Sequence, residues 1–161
     1  MTPTTHTRVA VLGGAGFLGA RTVAALRRAG VDVAVASRRG EVRVDSSRPE
    51  TFAALAPFDV VVDLSDTVRA PPDALVAWCL AQGKRVVEAT SDAACVERLQ
   101  RAQARESCGL LVLGGGIFTG VSNLLARDVA GRVRGLDALT LGVSSSPFSG
   151  SGAGTVALML R

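Results

Sequence analysis

Tyrosine is absent from the 161 residues, lysine occurs once (Lys84) and histidine once (His6). A Tyr/Lys proton-exchanging pair, a histidine base in a folded core and a histidine-rich metal site are therefore excluded. Aromatic residues are only 4% of the chain against 48% hydrophobic overall, so the core must be Val, Ala and Leu packed around glycine-rich turns. A parallel sheet buried on both faces has that composition. CxxC spacing is missing too. Cys79, Cys95 and Cys108 are an odd set, expected as reduced thiols within helices or strands of a cytoplasmic protein. Met1 to Thr7 lacks an apolar signal-peptide core and reads as a disordered leader. A mass of 16.5 kDa leaves room for one ordinary domain, which excludes a complete two-domain dehydrogenase.

The net charge of +4 arises from 18 basic residues, all but one of them arginine, interleaved with 14 acids. That interleaving leaves no basic stripe for nucleic acid. Residues 107–126 and 138–160 carry no charge and approach membrane-span length, but glycines, serines and a proline break them. Both read as strand, turn and helix, so no membrane association is expected. No internal repeat or low-complexity segment stands out.

Arg8 to Leu12 is a short apolar run ending at Gly13, and from Phe17 a helical pattern follows with Leu18, Val23 and Leu26 apolar. Gly30 caps it before a second strand, Val31 to Ser37. Further strands are predicted over Val42 to Asp45, Asp59 to Leu64, Arg85 to Thr90 and Leu110 to Leu113, with helices over Pro49 to Ala56, Pro71 to Gln82 and Ser91 to Glu106. Alternating units of this kind wind by right-handed crossovers into one open sheet. The expected architecture is α/β, a doubly wound, Rossmann-like parallel sheet of about six strands over residues 8–135. From Leu136 an alternating run and a Ser/Gly-rich turn lead to a helical start at Thr155, which stops about two turns later at Arg161. That pattern predicts that residues 136–161 begin a second, substrate-binding domain that is truncated here; the alternative is a C-terminal helix docked on the sheet.

Gly14-Ala15-Gly16-Phe17-Leu18-Gly19 satisfies GxGxxG, and Gly13 makes it satisfy GxxGxxG as well. Directly after a strand and opening a helix, the pattern predicts a dinucleotide turn. A side chain at Gly16 would block a diphosphate, Gly19 would let helix and strand approach, and the amides of Gly16, Phe17 and Leu18 would bind the phosphates at the helix's positive end. A site for NAD usually has an acid at the tip of the second strand; this chain has Ser37-Arg38-Arg39. A hydroxyl and two guanidinium groups suit a 2′-phosphate, so NADP(H) is the expected cofactor. The blander alternative is a solvated basic loop. By topology, Asp45 is expected near the adenine, Ser65 and Asp66 near the ribose or diphosphate, and Thr90, Ser91 and Gly114 to Gly116, with Gly115 central, beside the nicotinamide. Ser91 is equally suited to cap a helix, and Gly114 to Gly116 to turn the chain alone.

The glycine turn, Ser37-Arg38-Arg39, Phe58-Asp-Val-Val-Val-Asp63 and Trp78-Cys-Leu-Ala-Gln-Gly83 together resemble the NADP-binding domain of saccharopine dehydrogenase-like oxidoreductases. Gly116-Ile-Phe-Thr-Gly-Val-Ser-Asn-Leu-Leu-Ala126 and Ser149-Gly-Ser-Gly-Ala-Gly-Thr155 resemble that family's crossing into its second domain, so the likeness spans about residues 8–160. The resemblance implies hydride transfer between the nicotinamide and a small-molecule substrate held by a further domain, with catalytic residues supplied from there. The chain departs from the family's pattern at Asp63-Leu-Ser-Asp66 and at Glu88. The glycine turn also looks like that of extended short-chain dehydrogenases and sugar-nucleotide epimerases, whose Tyr/Lys chemistry the lack of tyrosine excludes. Two further readings are a non-catalytic NADP-sensing module and an α/β domain with a vestigial site. A homodimer is the one self-association kept open.

Overall fold

The computed structural model describes residues 6–67, 69–90, 92–105, 108–116 and 120–142. Six strands, β1 (Arg8–Leu12), β2 (Asp32–Ser37), β3 (Val42–Arg43), β4 (Val60–Asp63), β5 (Arg85–Glu88) and β6 (Leu110–Leu113), form one sheet. Its order is β3-β2-β1-β4-β5-β6 and every pairing is parallel. The helices are α1 (Phe17–Arg28), α2 (Asp73–Ala81), α3 (Ala93–Arg105) and α4 (Ser122–Arg132), with a stretch of 3-10 helix at Pro49–Leu55. This is the α/β Rossmann-like architecture that the alternating pattern predicts.

The strands read as continuous apolar runs because both faces are covered. On one face Val61, Val86 and Ala10 pack with Phe52, Leu55, Leu75, Leu80 and Leu99. On the other, Val9, Val11 and Val33 pack with Val23 of α1. The order in which strands are added reverses between β1 and β4, so the connections leaving the carboxyl ends of these two parallel strands diverge to either side there. The register places Leu12 between Ala36 and Asp63, Asp63 beside Glu88, and Glu88 beside Leu113.

Several predicted boundaries move, each for a local reason. β3 stops at Arg43 rather than Asp45, because the Asp45 carboxylate accepts from Ser47 N at 3.0 Å and Ser47 Oγ at 2.6 Å and turns the chain. α2 begins at Asp73, with Val76 N donating to Pro72 O at 2.8 Å, so both prolines precede the helix. The cap of α3 is Asp92, whose Oδ2 accepts from Cys95 N at 3.2 Å. Ser91, suggested for that role, lies outside the described residues. Cys79 and Cys95 are buried and all three thiols are free, but Cys108 is exposed in the bend before β6 rather than in an element. Burial pushes the Cys79 thiol up to about 12, which suits packing and not reactivity.

Residues 136–142 are exposed and irregular, and the proposed helical start at Thr155 and the Ser149–Thr155 motif lie outside the described residues. Residues 1–5 of the expected leader do too. Among the described residues no helix is long and apolar enough to cross a membrane.

Candidate functional site

The predicted glycine turn leaves β1 at the reversal point. Gly13 has φ +69°, and a Cβ there would stand 2.6 Å from Leu64 O, so the β1 turn lies directly against the loop after β4. Gly14 N donates to Val11 O at 3.2 Å and Gly16 N to Gly13 O at 2.8 Å. α1 therefore starts from an extended Gly16 with no side-chain cap and no acid in its first turn. Gly19 packs so closely that a Cβ would run into the Gly13 carbonyl oxygen and lie 2.6 Å from Gly14 Cα.

One expected donor changes. The Gly16 amide is consumed by the turn, so it is not free for a phosphate. The amides of Phe17 and Leu18 remain at the opening coil of α1, where helix geometry supplies no acceptor and the macrodipole is positive. Ala15, Gly16, Phe17 and Leu18 are all exposed there. Arg21 reaches back with Nη1 to Phe17 O at 2.9 Å and stacks over the Phe17 ring at 3.8 Å, adding a cation to the mouth.

At the tip of β2, Ser37 Oγ accepts from Arg39 N at 3.3 Å, and Arg38 and Arg39 are exposed without an ion pair among the described residues. The hydroxyl of Ser37 thus shapes the tip and keeps its own proton to donate. Glu41, the next acid, faces Arg27 at 3.4 Å and Val35 N at 3.4 Å. Asp45 is held by its own turn. The hydroxyl and then the amide of Ser47 keep its carboxyl below the usual range, and Arg38 and Arg48 add to this.

Successive loops join into a rim. Ser46 Oγ lies 3.3 Å from Ser65 Oγ, linking the β3 and β4 loops. Thr67 Oγ1 lies 3.5 Å from Thr90 Oγ1, linking the β4 and β5 loops. Gly115 N donates to Glu88 O at 3.0 Å, laying the β6 turn across the end of β5. Gly14 to Gly19, Ser37 to Arg39, Asp45, Ser65 and Gly115 therefore share one edge, as the topology predicts. Asp66 is also there, but its carboxylate pairs with Arg69 at 3.5 Å.

Two features escaped the sequence reading. Residues 112–120, Val-Leu-Gly-Gly-Gly-Ile-Phe-Thr-Gly, match residues 11–19, Val-Leu-Gly-Gly-Ala-Gly-Phe-Leu-Gly, at six of nine positions. The structure bears this repeat out: Gly114 has φ +69° like Gly13, and a Cβ on Gly120 would run into Gly114 O as one on Gly19 runs into Gly13 O. Comparing the two glycine clusters directly would have revealed it. The second feature is a carboxyl pair beneath the rim. Asp63 and Glu88 are register neighbours, 1% and 0% exposed. Burial first, then the Asp63 charge, pushes the Glu88 carboxyl up to about 8.

A cleft of about 330 Å³ lies at the opposite, amino edge, lined by Thr7, Phe58, Asp59, Gln82, Lys84 and Arg85. Lys84 there donates Nζ to Ala56 O at 2.8 Å and Phe58 O at 2.6 Å. Its ammonium is committed to closing the fold. Among the described residues no group of His, Cys, Asp and Glu is placed to hold a metal ion.

No protein-family model matches the chain, and no curated relative does. Solved structures are similar in fold. A UDP-N-acetylglucosamine 4-epimerase from Bacillus cereus is 19% identical over 62% of this chain and 56% of its own, with a TM-score of 0.51. MoeE5, solved in complex with UDP-glucose and NAD, is 22% identical over 66% of this chain and 52% of its own, with a TM-score of 0.51. AtPrR2 in apo form is 23% identical over 67% of this chain and 49% of its own, with a TM-score of 0.52. The chain spans about half the length of these structures. At such identities the likeness establishes that the 161-residue chain carries a Rossmann-like α/β fold.

Proposed function

We propose that this chain is the NADP(H)-binding domain of an oxidoreductase resembling saccharopine dehydrogenase, with a small-molecule substrate held by a further domain. The observation that carries the reading is the uncapped, acid-free start of α1 at the sheet's reversal point, next to the exposed Arg38 and Arg39. The diphosphate would lie over the Phe17 and Leu18 amides, and the 2′-phosphate would take hydrogen bonds from Ser37, Arg38 and Arg39. Gly115 and Thr90 would border the nicotinamide half. Bound there, the cofactor supplies a hydride; the protein's part is to hold and orient it. MoeE5 was solved with NAD on a similar fold, which supports a nicotinamide dinucleotide here. Free thiols at Cys79, Cys95 and Cys108 accord with a cytoplasmic setting. The lack of tyrosine argues against an epimerase-type Tyr/Lys mechanism within this chain.

Fluorescence titration with NADPH and NADH tests this. The wild-type protein is expected to bind NADPH more tightly. Gly16→Val, which puts a side chain into the mouth, should abolish binding of both. Arg38→Ala should weaken NADPH about 10-fold or more and leave NADH unchanged, because one charged hydrogen bond contributes about 1.5–3 kcal/mol and tenfold is about 1.4 kcal/mol. Tighter binding of NADH by the wild type would remove the specificity argument, and binding of neither would remove the reading.

A further inference from the structure

Asp63 and Glu88 end adjacent strands at paired positions, and each side chain points to the same face as the buried Val61 and Val86 two residues earlier. Each gives one oxygen to the amide two residues on: Asp63 Oδ1 accepts from Ser65 N and Glu88 Oε1 from Thr90 N, both at 2.9 Å. The other two oxygens, Asp63 Oδ2 and Glu88 Oε2, are buried without a donor. Among the described residues no cation is bonded to either carboxyl. Around them stand Cys79 from α2 and Cys95 from α3. Cys95 also senses the Asp73–Arg98 pair, and Cys79 senses Lys84. Asp92 caps α3, and the Thr67 and Thr90 hydroxyls lie above. Two ionised carboxylates in that setting would repel each other and leave two acceptors orphaned. A single proton between them removes both costs.

We propose that Asp63 and Glu88 share one proton and act as the positioning pair of the carboxyl edge, tying the β4 loop at Ser65 to the β5 loop at Thr90. On ionisation the proton leaves to solvent and the loops part. Since Leu64 walls the glycine turn at Gly13, cofactor affinity falls with the loss. That last consequence rests on the function proposed above; the shared proton does not. With its carboxyl raised from about 4.5 to about 8, Glu88 contributes stability that is full at acid pH and lost as pH rises through that interval.

The test compares full-length wild type with Glu88→Gln and Asp63→Asn between pH 5 and 9, following unfolding by Trp78 fluorescence and titrating NADPH at each pH. Either amide mimics the protonated member at every pH, keeping the acceptor for its loop amide and offering an N–H to its neighbour. The wild-type midpoint should fall by roughly 5–10 °C more than that of either variant, and NADPH should weaken on the order of tenfold in the wild type alone. Equal decline in wild type and amide variants, or failure of both amides to fold, overturns the shared proton. Flat NADPH affinity in a wild type whose midpoint falls overturns the coupling to the site. Absence of cofactor binding at every pH, with the midpoints behaving as expected, refutes the proposed function and leaves the pair standing.

Discussion

Gly19→Ala is expected to destabilise the domain by about 1–2 kcal/mol, a sign opposite to the one helix propensity assigns. In a helix interior, exchanging glycine for alanine normally gains about 0.5–1 kcal/mol. At Gly19, in the first turn of α1, the added Cβ would run into the Gly13 carbonyl oxygen and approach Gly14 Cα to 2.6 Å. Backbone stands on the far side of the contact, so no side chain can rotate away and the helix must lift from the turn. Overpacking of that kind typically costs about 1–3 kcal/mol, which outweighs the propensity gain. Gly131, inside α4, is the control: a Cβ there meets nothing within 4 Å. Gly131→Ala should raise helicity and stability by up to about 1 kcal/mol. Urea unfolding of the two variants beside the wild type gives the comparison, and equal shifts would show that the α1 contact is not rigid. Lifting α1 also displaces the Phe17 and Leu18 amides, so Gly19→Ala is expected to weaken NADPH binding even where the protein remains folded.

Lys84→Met should cost about 2–4 kcal/mol. The only lysine in the chain is 8% exposed and spends its ammonium on two carbonyls, Ala56 O and Phe58 O, in the connection that leads into β4. Methionine keeps the length and apolar stem but offers no donor, so each carbonyl loses a charged partner at about 1–3 kcal/mol. Packing against Trp78, whose ring lies 5.9 Å from Nζ, is largely retained. For a chain of this size the loss corresponds to roughly 5–15 °C in melting temperature. The proposed cofactor edge lies at the other end of the strands, so NADPH affinity measured well below the melting temperature should be unchanged. An unaltered melting temperature would mean that water replaces the ammonium without penalty.

What could be read from the chain alone is what short-range pattern encodes. Apolar runs between glycine turns specify the strands, and their alternation with helical periodicity specifies a parallel, doubly wound sheet. The turn at Gly13 to Gly19 and the cationic tip at Arg38 and Arg39 are contiguous in sequence, so their residue types carry their meaning. Sequence reading failed where a group's partner is close by but its hydrogen bond is decided by backbone geometry. Asp45, predicted to end β3, lies beyond it, because its carboxylate accepts from Ser47 and turns the chain. The Gly16 amide, a predicted phosphate donor, donates to Gly13 O. Asp92, which no pattern singled out, caps α3.

Composition and periodicity therefore determined the kind of sheet, the edge that opens and the turn that marks it. Only the folded chain decided that Asp63 and Glu88 stand side by side, that Lys84 serves two carbonyls 26 and 28 residues upstream, and that the loops from Ser46 to Gly115 close into one rim. The physical reason is range. Strand and turn preferences are set by neighbours a few residues away, whereas the burial and pairing of a charge depend on a register between strands that no local pattern specifies.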